Sequence, residues 1–513
     1  MMLPSENKKA RRNIQFFMIC MALSTLAYIV LIANELTNTY DGMWKGAYDT
    51  YYTWVVSIGR WFWPLVGKVR LDMSPEPFTT LLSLALMVAG GCIVVEWFEV
   101  RDSWKKYLIV LLTVINTSVC VRLSYRYMSP TFAISFFLSV FGIYIIRRGT
   151  KIWKEIISIL CLTASLGCYQ ADLGCSCLLV LLNIIWLLQK EDSWKKTVHF
   201  VVSAAVAIVT SCILYKVIWD IVLKVNDISA SNYHGADSIS AISILVSFPE
   251  TLLNTYKTFG KYFLTDTIKY NTYQEYEFFK IILLGVPLLW GFAGGVQLFR
   301  KSKHKLFLYG ICLTLIPAAA NIALIIAADT GSVLIQQTMP MAVVLPFVTA
   351  ALEPESIIRK QAIRAICFVI LSFILAGSFL MISVDQHVML TSKESSISLI
   401  NRVASELDYS DEPQNGYVFL GRVSENPLFR KDDLWQKSNS YARYGEFFIG
   451  SNGNTQSYDG LLRDAGLNLK INWKSTYWHE LEDRDDIRAM PSFPAAGSIM
   501  KIDETLVIKL SDY

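Results

Sequence analysis

Charged residues are missing from long stretches of the first three-quarters of this chain. Stretches free of Asp, Glu, Lys and Arg lie at 13–34, 77–95, 107–121, 127–146, 156–171, 173–189, 197–215, 281–299, 306–328, 330–352 and 365–384. A bilayer core of about 30 Å needs roughly 20 apolar helical residues to cross it. Most of these stretches are rich in Leu, Ile and Val, and lipid demands that each segment satisfy its own backbone, so the pattern predicts about 11 transmembrane helices. The ten-residue alternation of a β-barrel does not occur. Three stretches (107–121, 156–171 and 173–189) are short, which places Arg122, Glu155 and Asp172 near helix ends or inside a polar cavity. Beyond residue 384 the pattern changes. It predicts a helix near 393–407, a strand at Tyr417–Leu420 and strands near Ser498–Ile502 and Thr505–Leu510, as in a small mixed α+β domain. The expected architecture is an α-helical polytopic membrane domain over 1–384 followed by an α+β domain over 385–513.

The loops supply an orientation. Lys8, Lys9, Arg11 and Arg12 precede the first span, and basic clusters follow every even-numbered one, such as Arg147, Arg148, Lys151 and Lys154 after the fourth. By the positive-inside rule the amino terminus is cytoplasmic and the carboxyl-terminal domain extracytoplasmic, as in a multi-pass protein of a bacterial inner membrane. No small-residue cleavage site follows the first span, so it reads as a retained anchor. Two loops on the outer side carry amphipathic segments, near 50–70 and 238–263, suited to lie in the membrane interface.

Composition agrees with this division. Residues 1–384 carry 33 Lys/Arg and 23 Asp/Glu, whereas residues 385–513 carry 14 and 20. The first part is too apolar for water and the last has a soluble domain's balance. That excludes a wholly cytosolic protein and a disordered chain. The net charge of +4 is too small and too scattered for a nucleic-acid binder. All ten cysteines fall within the spans, so no disulfide framework is expected outside; Cys175 and Cys177 point to different helix faces and read as apolar filler. No Walker loop, HExxH or GxSxG motif occurs, which removes support for an ATPase, zincin or serine hydrolase.

Ionisable groups near membrane depth are costly and mark candidate sites. Asp41 follows the first span within Tyr40-Asp41-Gly42, where a carboxylate acts as a base or is an ordinary solvated loop residue; Asp49 is a second of the same kind. Arg60 sits inside the aromatic segment Gly59-Arg60-Trp61. It either reaches phospholipid headgroups or clamps the phosphate of a lipid-linked donor, and Arg70 has the same two readings. Arg122 and Arg126 flank Tyr125 in a tight turn, with a lipid phosphate or an acidic side chain as the partner. Tyr169, Gln170 and Asp172 form the turn between the two short spans, which suits sugar hydroxyls if that turn is recessed. Asp329, Gln336 and Gln337 are weaker candidates.

Several of these motifs resemble one family. They are Tyr40-Asp41-Gly42; Ser57 to Leu65 (SIGRWFWPL) with Lys68, Arg70 and Leu71; Ser74-Pro75 with Pro77-Phe78; the Tyr125-Arg126 turn; and Gly167-Cys168-Tyr169-Gln170-Ala171. In order and placement they resemble the bacterial membrane glucosyltransferases typified by the O-antigen serotype-converting enzymes. The likeness is close over the first six spans, rests on hydropathy over 200–384, and does not reach the tail. It implies a GT-C-type enzyme that moves a sugar, glucose by this likeness, from a polyprenyl-phosphate carrier to a cell-envelope glycan at the outer face. It further implies Asp41 as the catalytic carboxylate, with Asp49 as alternative because an adjacent acidic pair common in relatives is here Tyr40-Asp41. Arg60, Arg70, Arg122 and Arg126 would bind the donor phosphate, and Tyr40, Tyr125, Tyr169, Gln170 and Asp172 the sugar or acceptor. No cofactor or divalent metal is expected with a monophosphate leaving group. The partners implied are the lipid-linked donor, the glycan acceptor and membrane lipids, with a flippase and a donor synthase in the same pathway. The competing classes are a transporter of lipid-linked sugars and a glycan polymerase or ligase.

Overall fold

The computed structural model describes residues 4–37, 51–147, 151–190, 194–231, 241–264, 277–300, 302–327, 337–352, 361–409, 412–438 and 455–512. Tyr40, Asp41, Asp49, Asp329 and Gln336 lie outside them.

The apolar stretches fold as helices: α1 (Pro4–Ala27), α2 (Ile29–Ala33), α5 (Phe78–Trp97), α6 (Ser103–Val114), α7 (Thr117–Ser124), α8 (Ser129–Arg147), α9 (Ile152–Cys168), α10 (Leu173–Gln189) and α11 (Trp194–Val225) in the first half. The aromatic loop segment gives two short helices, α3 (Tyr51–Ser57) and α4 (Trp63–Val69). The second half holds α12 (Ala241–Leu264), α13 (Glu277–Phe299), α14 (Lys303–Thr314), α15 (Ile316–Ala320), α16 (Ile322–Ile326), α17 (Met339–Ala342), α18 (Val344–Ala351) and α19 (Gln361–Ser405).

Among the described residues six helices are long and apolar enough to cross a membrane, and α6–α7, bent by 47°, adds a seventh if its arms are one span. This differs from the eleven spans expected. The described parts of two of these stretches, 306–327 and 337–352, are not continuous helices, and Pro317, Pro340 and Pro346 there each remove a backbone donor and crowd the preceding turn. Runs without charge reveal apolarity but not where the helix is interrupted.

The breaks are held by side chains from elsewhere. In an unbroken helix the Leu31 amide would donate to the Ala27 carbonyl. Between α1 and α2 the Gln386 amide takes the place of that bond: Oε1 accepts from Leu31 N at 2.9 Å and Nε2 donates to Ala27 O at 3.0 Å. Tyr28, at the break, donates its hydroxyl to the Val114 carbonyl at 2.8 Å, where α6 ends. Two kinks are thereby fixed to each other and to α19. Gln386→Leu would leave both backbone groups of α1–α2 buried and unpaired, at a cost on the order of 2–4 kcal/mol. A lower unfolding temperature in detergent is the expected result, and an unchanged one would show that the kink satisfies itself.

The helix α19 runs for 45 residues through position 385, so the border between the two domains falls inside one rigid helix. Its last turns belong to the tail's core, where Leu399, Ile400 and Val403 pack with Val418, Phe419, Leu461, Trp478 and Ile508. The tail sheet has the order β1 (Tyr417–Leu420), β3 (Thr505–Lys509), β2 (Ile499–Ile502), with β1 parallel and β2 antiparallel to β3. Asp503 and Glu504 join β2 to β3 with φ of 47° and 62°, the left-handed pair that a two-residue hairpin turn requires.

The tail is also tied to α19 through Asp432. Its carboxylate accepts from the Trp435 amide at 2.8 Å and meets His387 Nε2 at 2.7 Å. Burial pushes this carboxyl up, but the Trp435 amide, His387 and Thr391 outweigh it and hold it below its ordinary value. A depressed carboxyl stabilises fully above its unfolded pKa and loses that contribution as pH falls through the folded one. Proteolytic protection of the tail is therefore expected to hold at neutral pH and to decline below about pH 4. Asp432→Asn should flatten that decline.

Candidate functional site

The α3–α4 hairpin is the element that builds the site, and it is tethered at four points. Trp219 Nε1 donates to Val56 O at 2.7 Å, Gln170 Nε2 to Ile58 O at 2.9 Å, Ser231 N to Ser57 O at 2.9 Å, and Phe62 N to Gly167 O at 3.0 Å. Gly59 makes the turn between the helices with φ +85°, a conformation that L side chains avoid. A Cβ there would meet the Tyr215 hydroxyl at 2.0 Å. Gly59→Ala is therefore expected to displace the hairpin and lower activity more than stability, as a transfer assay beside a thermal melt would show.

The turn between α9 and α10 is buried, as its brevity suggested. Tyr169 is 2% exposed and Asp172 fully buried. Serines of α8 hold it: Ser135 donates to Tyr169 O at 3.1 Å and Ser139 to Asp172 O at 2.8 Å. Inside this turn Asp172 receives both terminal nitrogens of Arg122, at 2.7 and 3.1 Å, and both side chains are fully buried.

Around this pair the structure assembles a ladder of cations and rings. The Arg122 guanidinium lies 5.3 Å from the Tyr169 ring centroid, and the Arg60 guanidinium lies 5.0 Å from the same centroid. Arg60 lies 5.9 Å from the Trp63 ring, Trp63 is 5.6 Å from the Tyr127 ring, and Arg70 lies 5.1 Å from Tyr127. Three of the four arginines singled out in the sequence are thus linked in one chain of contacts, Arg60 from the α3–α4 turn, Arg70 from the residue after α4 and Arg122 from α7.

The hydrogen bonds of the three are unequal. Arg122 is matched by Asp172. Arg70 donates to the Tyr127 carbonyl at 2.9 Å and the Met73 carbonyl at 3.3 Å, so it fastens the end of α4 to the α7–α8 turn. Arg60 is 6% exposed, and no hydrogen-bond acceptor or carboxylate among the described residues reaches its side chain; its Nε is buried and unsatisfied. The indole nitrogens of Trp61 and Trp63, one and three residues on, are buried donors without acceptors as well. Arg60, Trp61 and Trp63 thus offer three buried donors that find no acceptor among the described residues.

The remaining candidates fall as follows. Arg126, 2% exposed, donates to the Glu35 carbonyl at 3.2 Å and meets the Glu35 carboxylate at 3.4 Å, so an acidic side chain partners it. Tyr125 is buried with its ring against Phe132, 6.3 Å away. Gln170 clamps Ile58 and also donates to the Tyr215 hydroxyl at 2.9 Å. Sequence reasoning passed over Trp63, Tyr127 and Tyr215; the last closes an apolar span and reads as core. It also passed over Glu76, which precedes α5 and accepts from the Thr80 hydroxyl at 2.9 Å. Burial pushes the Glu76 carboxyl above its usual range, against the pull of Thr80 and Arg126.

Described helices long and apolar enough to cross a membrane, with buried arginines and aromatic rings gathered beside the α3–α4 turn, define the class as a helical membrane protein. The chain belongs to the glucosyl transferase GtrII family, whose model matches residues 37–349. It is thus a glycosyltransferase of the glucosyl class. The match takes in the ladder and ends before α19 and the tail. No curated protein and no solved structure matches the chain.

Proposed function

We propose that this protein transfers glucose from a polyprenyl-phosphate carrier to a cell-envelope glycan at the extracytoplasmic face of a bacterial inner membrane. The observation that carries the reading is Arg60: a buried cation with no acceptor among the described residues, followed in the chain by two indole donors that lack acceptors there as well. Leaving such a charge unpaired costs folding energy, which an anionic substrate repays on binding. A monophosphate leaving group gathers charge as the glycosidic bond breaks, and a fixed guanidinium stabilises that charge without reorganising.

In this scheme Arg60 holds the phosphate, while Arg122, Arg126 and Arg70 shape and charge the surroundings. Tyr169 presents its ring to two guanidinium groups. Asp41, or Asp49, takes the proton from the acceptor hydroxyl as general base, and Tyr40 lines the acceptor side. The exposed apolar residues of the hairpin, among them Leu65, Val69 and Leu71, rest in the outer leaflet beside the donor's lipid. Such a donor has to be made and brought across the bilayer, so a synthase and a flippase act before this enzyme.

The test is transfer by the purified full-length protein in detergent, comparing polyprenyl-phosphate glucose with a nucleotide-linked glucose as donor and an envelope glycan as acceptor. Transfer from the lipid donor alone, lost in Asp41→Asn with folding intact, is the expected result. Transfer from the nucleotide sugar would overturn the donor assignment, and uptake of lipid-linked sugar into liposomes without transfer would favour a transporter. Because arginine supplies the charge at the phosphate, the activity is expected to survive a divalent-metal chelator.

A further inference from the structure

Beside Arg60 the hydrogen-bond directions of two side chains are fully determined, and they leave one donor and one acceptor unused. The Ile58 carbonyl can only accept, so the Gln170 atom 2.9 Å from it is the amide nitrogen. That same nitrogen lies 2.9 Å from the Tyr215 hydroxyl, and its second proton goes there. The Tyr215 oxygen therefore accepts, and its own proton is left to donate. Gln170 Oε1 receives no donor among the described residues. The tyrosine is 7% exposed, its ring packed on Trp219 at 6.2 Å, so the hydroxyl has little access to bulk water. The Tyr215 hydroxyl and the Gln170 amide nitrogen both sit against the backbone of Gly59, next to Arg60, and the missing Cβ of Gly59 is the space they occupy.

A buried donor and a neighbouring acceptor, fixed by one shared hydrogen bond, match a sugar hydroxyl, which gives one proton and takes another. We propose that Tyr215 and Gln170 form the subsite that reads a hydroxyl of the hexose attached to the phosphate held by Arg60. This rests on the donor-phosphate reading of Arg60 and adds the residues that select the sugar. Tyr215 lies in α11, at a position that otherwise reads as membrane core. Gln170 has two parts to play: its amide nitrogen clamps the hairpin and its oxygen faces the sugar.

The experiment measures binding of two probes to the full-length protein in detergent, polyprenyl phosphate and polyprenyl-phosphate glucose, for the wild type, Tyr215→Phe and Arg60→Ala. Tyr215→Phe keeps the ring and loses only the hydroxyl. The wild type is expected to bind the glucosylated lipid more tightly than the bare phosphate. In Tyr215→Phe that preference should fall about tenfold, as for one lost hydrogen bond, while bare polyprenyl phosphate binds as before. In the same variant, discrimination between glucosyl and galactosyl or mannosyl donors in the transfer assay should narrow. Arg60→Ala should weaken both probes together. Retention of the glucose preference by Tyr215→Phe overturns the subsite while leaving the Arg60 reading intact. An equal loss for both probes in Tyr215→Phe also overturns it, because the hydroxyl would then be supporting the hairpin. A wild type that binds neither probe overturns the Arg60 reading and the subsite with it.

Discussion

Arg60→Ala is expected to lower glucosyl transfer by about two to three orders of magnitude, the usual loss when a fixed donor to developing charge is removed. The same substitution should leave the unliganded protein as stable as before, or more so. Most buried arginines behave otherwise, since truncating one partner of an ion pair strands the other charge. Arg60 strands nothing: it has rings on two sides and no acceptor among the described residues. The folded state carries its desolvation without recompense until an anion arrives. Activity and stability are thus expected to move in opposite directions at this position, and a thermal melt beside a transfer assay checks both. Arg60→Lys should fall between, because an ammonium keeps the charge but not the planar fork that stacks on Tyr169 and meets two phosphate oxygens. A large loss of stability in Arg60→Ala would mean that the cation serves the fold.

Asp172→Ala should do the reverse, destabilising the protein by about 3–5 kcal/mol by leaving the Arg122 guanidinium buried without its carboxylate. Arg122→Ala is expected to cost a similar amount. Removing both, for example Arg122→Met with Asp172→Leu, should cost much less than the sum of the single changes, because the charges are lost together. A double-mutant cycle on unfolding in detergent measures this directly. If Asp172 instead bound sugar as its main duty, Asp172→Asn would abolish transfer and leave the melt unchanged. The pair touches the proposed phosphate site through Tyr169, whose ring both Arg122 and Arg60 approach.

The arginines were legible in the sequence as a set but not as individuals. Their position at span ends and their aromatic company marked Arg60, Arg70, Arg122 and Arg126 alike. What separates them is the acceptor each one finds: Asp172 for Arg122, 50 residues away; Glu35 for Arg126, 91 residues away; the Tyr127 carbonyl for Arg70. No local pattern contains these partners. The same holds for Asp172 and Gln170, whose polarity suggested a sugar site while their contacts make one an ion-pair partner and the other a clamp with one free oxygen. Tyr215 was hidden for the opposite reason, since a tyrosine in an apolar run looks like packing until its hydroxyl is seen beside Gly59.

Hydrophobic spacing by itself determined that this is a helical membrane protein with a differently composed tail, because lipid excludes charge and compels each span to satisfy its own backbone. It also located the tail's strands to within a residue or two, and the motifs between Ser57 and Ala171 pointed to the glucosyl transferase GtrII family that the chain belongs to. Tertiary structure decided the rest: where helices break, that α19 runs as one continuous helix into the tail, and which cation finds no acceptor among the described residues. Those outcomes depend on contacts between residues far apart in sequence. Whether a buried charge or a broken helix is tolerable is a property of its neighbours, and only the fold brings Gln386 to Ala27 and Leu31, brings Asp172 to Arg122, and gives Arg60 rings but no acceptor among the described residues.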